Sequence, residues 1–259
     1  MTTFSKRSKI LLAALFALCA TFSFAADGKA KVSLNVFAAA SLTEALNEIA
    51  VLYKTAAPDI TLSFNFDSSG KLQTQIENGA EADLFLSAGQ KQMDDLTGKF
   101  TDDATRKNLL TNKVVLIVPQ NSKKGISSFN DVLTNKVSLI AIGNSSVPVG
   151  QYSEEIFTFL KGWEVVSKKA SLGSNVKEVL SQVENASVDC GVVYSTDAAT
   201  AKNIKVVASA PEGSHKPVVY PAAVLKGSKH PKEAKAFLDF LSSPKAVAVF
   251  EKIGFVVVK

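Results

Sequence analysis

Histidine is nearly missing from this chain of 259 residues: His215 and His230 are the only two, each in a polar segment flanked by proline. General acid–base catalysis uses histidine more than any other side chain, and imidazole is the commonest metal ligand. Both chemistries therefore lack their usual carrier. No serine stands in a G-x-S-x-G elbow, and neither a Walker loop nor a zinc-type ligand spacing occurs. The expectation is a protein that is not an enzyme and needs no cofactor. Cysteine is as scarce. Of the two, Cys19 falls in an N-terminal leader, and Cys190 alone cannot close an intrachain disulfide. Its setting, Val188-Asp189-Cys190-Gly191-Val192-Val193, reads as a buried strand, so a packed thiol is expected there rather than a nucleophile. Beyond the leader no apolar run is long enough to span a bilayer. A basic stripe with interleaved aromatics is also lacking, so no nucleic-acid partner is expected.

The leader is the first positive signal. Lys6, Arg7 and Lys9 precede an apolar run from Ile10 to Phe24, and Ser23-Phe24-Ala25 fits a small-x-small cleavage site. Residues 1–25 read as a secretory signal peptide, which places the mature chain in the periplasm. Leu18 stands before Cys19, where a lipoprotein signal needs a small residue. Removing the leader leaves 234 residues, enough for two lobes of ordinary size. It also takes the formal net charge from +5 to +2, because the leader carries three basic residues and no acidic one.

Strand and helix patterns then alternate. Lys31 to Phe37 reads as a strand, and Leu42, Ala45, Leu46, Ile49 and Tyr53 repeat at helical spacing. Ile60, Leu62, Phe64 and Phe66 alternate at period two. A helix from Lys71 to Glu77 stops at Asn78-Gly79, and Asp83 to Ala88 is a short buried strand. Further β-like runs are Val114 to Val118, Val137 to Ile142, Gly191 to Tyr194 and Ile204 to Val207. Helices fall at Tyr152 to Leu160, Val176 to Val183, Pro231 to Leu241 and Pro244 to Ile253. Such alternation predicts an α/β architecture with mostly parallel sheets. Val114 to Pro119 and Val218 to Leu225 are similar apolar runs, each with a proline, and each is expected to pass from one lobe to the other. Residues 26–112 with 224–259 form lobe I on this reading, and 113–223 form lobe II.

Four segments place small or turn-forming residues directly before a helix: Ala39-Ala40-Ser41-Leu42-Thr43-Glu44, Ser68-Ser69-Gly70-Lys71, Val147-Pro148-Val149-Gly150 and Ser174-Asn175-Val176. The first amides of a helix have no intrahelical partner, and the helix dipole makes that end positive. Several such ends aimed at one point would hold an anion without a charged side chain. Ser41 and Glu44 also match the S-x-x-E capping box, so Ser41 reads equally well as a helix cap and as a ligand contact. Lys71 reads as solvated surface. Asp67, just before Ser68, would add an unwanted acceptor if it entered the site. Tyr194 ends a strand, where its hydroxyl can reach a crevice.

Taken together, these stretches resemble the periplasmic molybdate-binding proteins of ABC importers. The resemblance covers essentially the whole mature chain. It rests on Val36-Phe37-Ala38-Ala39-Ala40-Ser41-Leu42-Thr43, Gly79-Ala80-Glu81-Ala82-Asp83-Leu84-Phe85, Val147-Pro148-Val149-Gly150, Val193-Tyr194-Ser195-Thr196-Asp197-Ala198 and Ile253-Gly254-Phe255. It implies the two-lobe type II periplasmic-binding-protein fold, with each lobe a mostly parallel sheet flanked by helices and two crossing strands between them. It implies molybdate, and tungstate with it, as the ligand. The implied contacts are the hydroxyls of Ser41, Ser69 and Tyr194 and the amides of Val149 and Val176. It also implies a monomer that delivers its cargo to a membrane ABC permease. Departures are Gly70-Lys71, where the family shows a Ser then a Thr, Val149 in place of Ala, and Asp67 in place of a small neutral residue. Sulfate or another small oxyanion is the alternative ligand, and an exported phosphate- or sulfate-ester enzyme on the same scaffold is the alternative activity. A sensing module would need a DNA-binding or membrane segment, and neither is present in the sequence.

Overall fold

Continuous apolar runs such as Val36-Phe37-Ala38 and Leu84-Phe85-Leu86 give the central strands two buried faces, and helices cover both. The computed structural model describes residues 31–258, so the expected signal peptide lies outside the described residues. The first sheet contains β1 (Val32–Ala39), β2 (Ile60–Asp67), β3 (Leu84–Leu86), β4 (Lys107–Asn112), β10 (Val218–Val224) and β11 (Val256–Val257), in the order β11-β4-β10-β3-β1-β2. The second contains β5 (Val114–Pro119), β6 (Ile140–Gly143), β7 (Ala170–Gly173), β8 (Cys190–Tyr194) and β9 (Ile204–Ser209), in the order β7-β6-β8-β5-β9.

In the first sheet Val36, Ala38, Leu84, Leu86, Ala222 and Val224 point into one core, while Phe37, Phe85 and Ala223 point into another. Helices α1 (Thr43–Ala56), α8 (Pro231–Phe240) and α9 (Pro244–Ile253) cover the first face through residues such as Leu46, Ile49, Phe237 and Phe250. Helices α2 (Ser69–Glu77) and α3 (Gln90–Leu96) cover the second through Leu72, Ile76, Met93 and Leu96. The second sheet packs on α4 (Pro148–Phe159), α6 (Val176–Glu184) and α7 (Ser195–Thr200), with α5 (Trp163–Ser167) against α4. The Cys190 thiol is fully buried in β8, and burial pushes it up to about 12, as a packed thiol requires.

The α/β expectation holds, and the sheets are mixed. β1 pairs in parallel with β2 and β3, and β6 with β7 and β8, but β10 runs antiparallel to β3 and β4, and β5 antiparallel to β8 and β9. The antiparallel pairs follow from how the chain changes sheets. β4 and β5 are one extended run that leaves the first sheet and enters the second at Lys113. The return runs from the end of β9 to the start of β10, alongside the first crossing and in the opposite sense. Ala210 donates its amide to the Val114 carbonyl, and Val218 stands opposite Asn112. Val218–Val224 therefore lies wholly in the first sheet. The return comes before Val218, not at Val224 as the apolar run suggested.

Phe85 shows what this packing is worth. It is fully buried and belongs to the smaller core under α2 and α3. Phe85→Ala should cost about 3–5 kcal/mol of unfolding free energy, through lost burial and the cavity left behind. Denaturant titration followed by circular dichroism measures it.

Candidate functional site

Each expected contact lies where a strand ends and a helix begins, and all five are buried. β1 runs through Ala39 into a 3-10 turn, Ala40–Leu42, and then into α1. Ser41 is therefore inside a helical run rather than at its cap. The capping box read from the sequence does not form: α1 starts at Thr43, and its N-cap residue, Leu42, makes no side-chain cap. The Ser41 hydroxyl instead lies 3.0 Å from the Tyr220 hydroxyl, and Glu44 pairs with Lys177. Only 4% of Ser41 is exposed.

Ser68 caps α2 by accepting from the Lys71 amide, which leaves Ser69 as the first helical residue. Ser69 Oγ accepts the Ala88 amide at 2.9 Å, and the Ala88 carbonyl accepts the Tyr194 hydroxyl at 3.3 Å. The two peptide groups flanking Ala88 thus join the start of α2 to the end of β8 across the gap between the sheets. The Tyr194 ring meets the Tyr220 ring edge-on, with centroids 5.8 Å apart. Ser41, Ser69 and Tyr194 are brought together by this chain of contacts. Burial pushes both phenols well above their ordinary value, so both remain donors at any physiological pH.

Val149 is the second residue of α4, after Pro148 at the first position. α4 begins close to Ala88: a Cβ added at Gly89 would come within 3.1 Å of the Pro148 side chain. Gly150 is pressed against the end of β6, where an added Cβ would meet the Gly143 carbonyl oxygen at 2.2 Å. Val176 opens α6, whose cap is Asn175 accepting from the Glu178 amide. α6 packs on the 3-10 turn that carries Ser41. Val149 and Val176 can offer only backbone amides, and both lie in first turns where those amides lack intrahelical partners.

Further contacts close the gap between the two sheets. The Gly70 amide donates to the Ser146 carbonyl at 3.0 Å, and the backbones approach so nearly that a Cβ on Gly70 would lie 2.3 Å from that oxygen. This explains Gly70 physically: a Ser could not sit there in this conformation. Asp67 does not stand free. Its Oδ1 accepts the Ser68 amide and Asn175 Nδ2, and Lys71 Nζ lies 3.5 Å away. Lys71 is thus a partner of Asp67 on the half-exposed surface.

The sequence reading missed Lys177. Its Nζ reaches across to Glu44 at 2.8 Å and also lies 3.0 Å from Oδ1 of Asp197. Asp197 is completely buried, with neither oxygen in an aligned hydrogen bond. Burial pushes its carboxyl above the ordinary range against the pull of Lys177. Burial alone would lower the Lys177 ammonium, but Asp197 and Glu44 overcome it and hold the ammonium raised. No signal in the sequence pairs residues this far apart; only the charged pattern at the start of α6 hints at it. Among the described residues no group of His, Cys, Asp and Glu side chains could hold a metal cation, and no helix is long and apolar enough to cross a membrane.

Residues 34–256 match the bacterial extracellular solute-binding protein family. A putative ABC transporter substrate-binding lipoprotein of Bacillus subtilis, YvgL, is 40% identical over 258 residues, covering 96% of this chain and 98% of that protein. The molybdate-binding protein ModA of Haemophilus influenzae is 40% identical over 244 residues, covering 90% of this chain and 92% of its own. The solved substrate-binding domain of a putative molybdenum ABC transporter from Clostridium difficile has a TM-score of 0.67 at 41% identity, covering 88% of this chain and 99% of that one.

The buried ion cluster predicts a pH-dependent defect. In Lys177→Met the Asp197 carboxyl keeps its burial and loses its opposing cation, so its folded pKa rises further. A carboxyl raised on folding contributes stability that is full below its unfolded value of about 3.9 and is lost as pH climbs through the folded value. The variant should lie closest to wild type in acid and fall about 3 kcal/mol behind by neutral pH. Adding Asp197→Asn should flatten that difference. Chemical denaturation across the pH range reads it, and a defect independent of pH would show that Asp197 is not charged in the native protein.

Proposed function

The chain belongs to the family of bacterial extracellular solute-binding proteins, and we propose that it captures molybdate, with tungstate, and delivers it to a membrane ABC permease. The reading starts from the donor set. Ser41, Ser69 and Tyr194 supply hydroxyls, Val149 and Val176 supply first-turn amides, and no side-chain cation joins them. The two nearby lysines are each engaged by carboxylates, Lys71 by Asp67 and Lys177 by Glu44 and Asp197. Helix starts and buried hydroxyls suit a compact anion that can accept from every side.

Donors alone also discriminate. Molybdate and tungstate are bare dianions at neutral pH. Phosphate keeps a proton there, and that proton would face donors with no acceptor, at the cost of an unpaired buried polar group. Asp67 is held beside Ser68, with its Oδ1 engaged by the Ser68 amide, Asn175 Nδ2 and Lys71. Sulfate carries no proton and is rejected, on this reading, by size. The relatives described as binding molybdate support the choice among oxyanions.

We take residues 26–112 with the C-terminal segment as one lobe, the middle of the chain as the other, and the crossings at Lys113 and before Val218 as the hinge. The cross-sheet contacts then describe a closed form, the form a permease would recognise. Cleavage of the leader after Ala25, a periplasmic location and a monomeric state complete the proposal.

An anion panel tests the ligand. Molybdate at a hundred times its dissociation constant should stabilise the protein by about 2.7 kcal/mol, seen as a rise in melting temperature. Tungstate should do the same, and phosphate should not. Stabilisation by phosphate without molybdate would overturn the assignment. Ser41→Ala should weaken molybdate binding by about 1–3 kcal/mol, read by calorimetry. Unchanged affinity would remove Ser41 from the ligand shell, and no helix-cap penalty is expected because Ser41 caps no helix.

A further inference from the structure

Tyr220 and Asn112 belong to none of the expected contacts, yet their hydrogen bonds converge on Ser41. The Lys113 amide can only donate, and it donates to Asn112 Oδ1 at 2.8 Å. Ser195 Oγ lies 2.9 Å from the same oxygen. These contacts fix which end of the Asn112 amide is oxygen. Nδ2 then faces Thr196 Oγ1 at 2.8 Å and Tyr220 Oη at 3.3 Å, and an amide nitrogen donates only. Tyr220 Oη has a single hydrogen. Since it accepts from Asn112, that hydrogen goes to its other partner, Ser41 Oγ, at 3.0 Å. Tyr220 is 1% exposed, so solvent offers no competing partner. Ser41 Oγ is thereby an acceptor toward Tyr220, and its own hydrogen must point elsewhere.

The geometry points to a one-way hydrogen-bond relay, Lys113 amide to Asn112 to Tyr220 to Ser41, that frees the Ser41 hydrogen for the bound anion and biases that hydroxyl toward donating. Asn112 and Tyr220 are positioning residues, since neither needs to touch the ligand. The inference rests on the oxyanion-binding reading above and adds the origin of its preference for unprotonated anions. A freely turning serine hydroxyl can donate to a bare dianion or accept from a protonated one. A hydroxyl that already accepts from Tyr220 keeps its hydrogen for the anion and has one lone pair fewer to offer a protonated ligand. The relay therefore disfavours proton-bearing anions by a route separate from cavity size. It also begins at Lys113, the residue where the chain changes sheets, so the orientation is tied to the geometry of the crossing.

Tyr220→Phe tests this with three dianions competed against one another by calorimetry, at a mildly alkaline pH where phosphate is the monohydrogen species. The ring contacts with Tyr194 and Phe255 are kept and only the oxygen is removed. The phosphate-to-sulfate affinity ratio should rise about tenfold, the scale of one hydrogen bond gained. The molybdate-to-sulfate ratio should hold, because neither of those anions carries a proton. A packing defect would lower all three together and leave the phosphate-to-sulfate ratio unchanged, and that result overturns the relay. Failure of the wild-type protein to bind molybdate strikes the functional reading instead. Neutron diffraction from the unliganded protein then decides the relay by itself. Deuterium on Tyr220 Oη directed at Ser41 upholds it, and deuterium on Ser41 Oγ directed at Tyr220 refutes it.

Discussion

A helix that begins inside a protein must find partners for its first amides, and here three helices begin inside it, each just after a strand ends. α2 follows β2, α4 follows β6 and α6 follows β7, and in each case the first-turn residue of interest is almost fully buried: Ser69, Val149 and Val176. Unpaired buried amides cost roughly 1–3 kcal/mol each. The proposed anion answers that cost, and the positive ends of three helix dipoles add to its attraction. The two sheets put the carboxyl ends of these parallel strands on the shared side, the place where open α/β sheets hold ligands. The antiparallel crossings at Lys113 and before Val218 keep the sheets joined on that same side.

The contacts that span the gap are unequal, and magnitudes rank them. The Gly70 amide bond to Ser146 is a neutral hydrogen bond, worth about 1 kcal/mol net. The half-exposed pair between Lys177 and Glu44 is worth about as little in isolation. Asp197 changes the balance. Its carboxylate is completely buried, and Lys177 is the cation beside it. Lys177 stays with Asp197 whether or not the sheets separate, since both belong to the second sheet's helices. Closure then adds only the Glu44 contact to a lysine already positioned, with less side-chain entropy to lose than an isolated pair.

The sequence carried the longer strands and helices and the site segments because each is a local pattern, while the short or weakly patterned β4, β7, β11, α3, α5 and α7 did not show in it. β2 shows in the alternation of Ile60, Leu62, Phe64 and Phe66, and α4 in Pro148 at its first turn. Two things were not local. Ser41 and Glu44 satisfy the capping-box pattern, but the pattern does not say where the helix begins. The tight Ala39-Ala40 entry winds Ser41 into a 3-10 turn, and both side chains find distant partners instead. Tyr220 is 179 positions from Ser41, and Lys177 is 133 from Glu44. Their pairing exists only once the sheets are placed. The return crossing was misplaced for a related reason. An apolar run announces a strand, and does not announce which sheet receives it.

Ala88 shows how backbone can set the polarity of a site. Its amide donates to Ser69 Oγ, so the Ser69 hydrogen is left to point elsewhere. Its carbonyl holds the Tyr194 hydroxyl at 3.3 Å, a long contact for an O–H donor. A dianion is a far stronger acceptor than a peptide carbonyl, so the tyrosine proton would transfer its allegiance when the anion arrives. The carbonyl would then keep a second, weaker share or turn to another donor. The peptide before Ala88 thus leaves the Ser69 hydrogen free, and the peptide after it holds the Tyr194 hydroxyl. Both hydroxyls can then turn their hydrogens to an anion, with the neutral Ala88 carbonyl as the acceptor beside Tyr194. An Asp in that role would have set a full negative charge against a dianion, a repulsion that the neutral peptides on either side of Ala88 avoid.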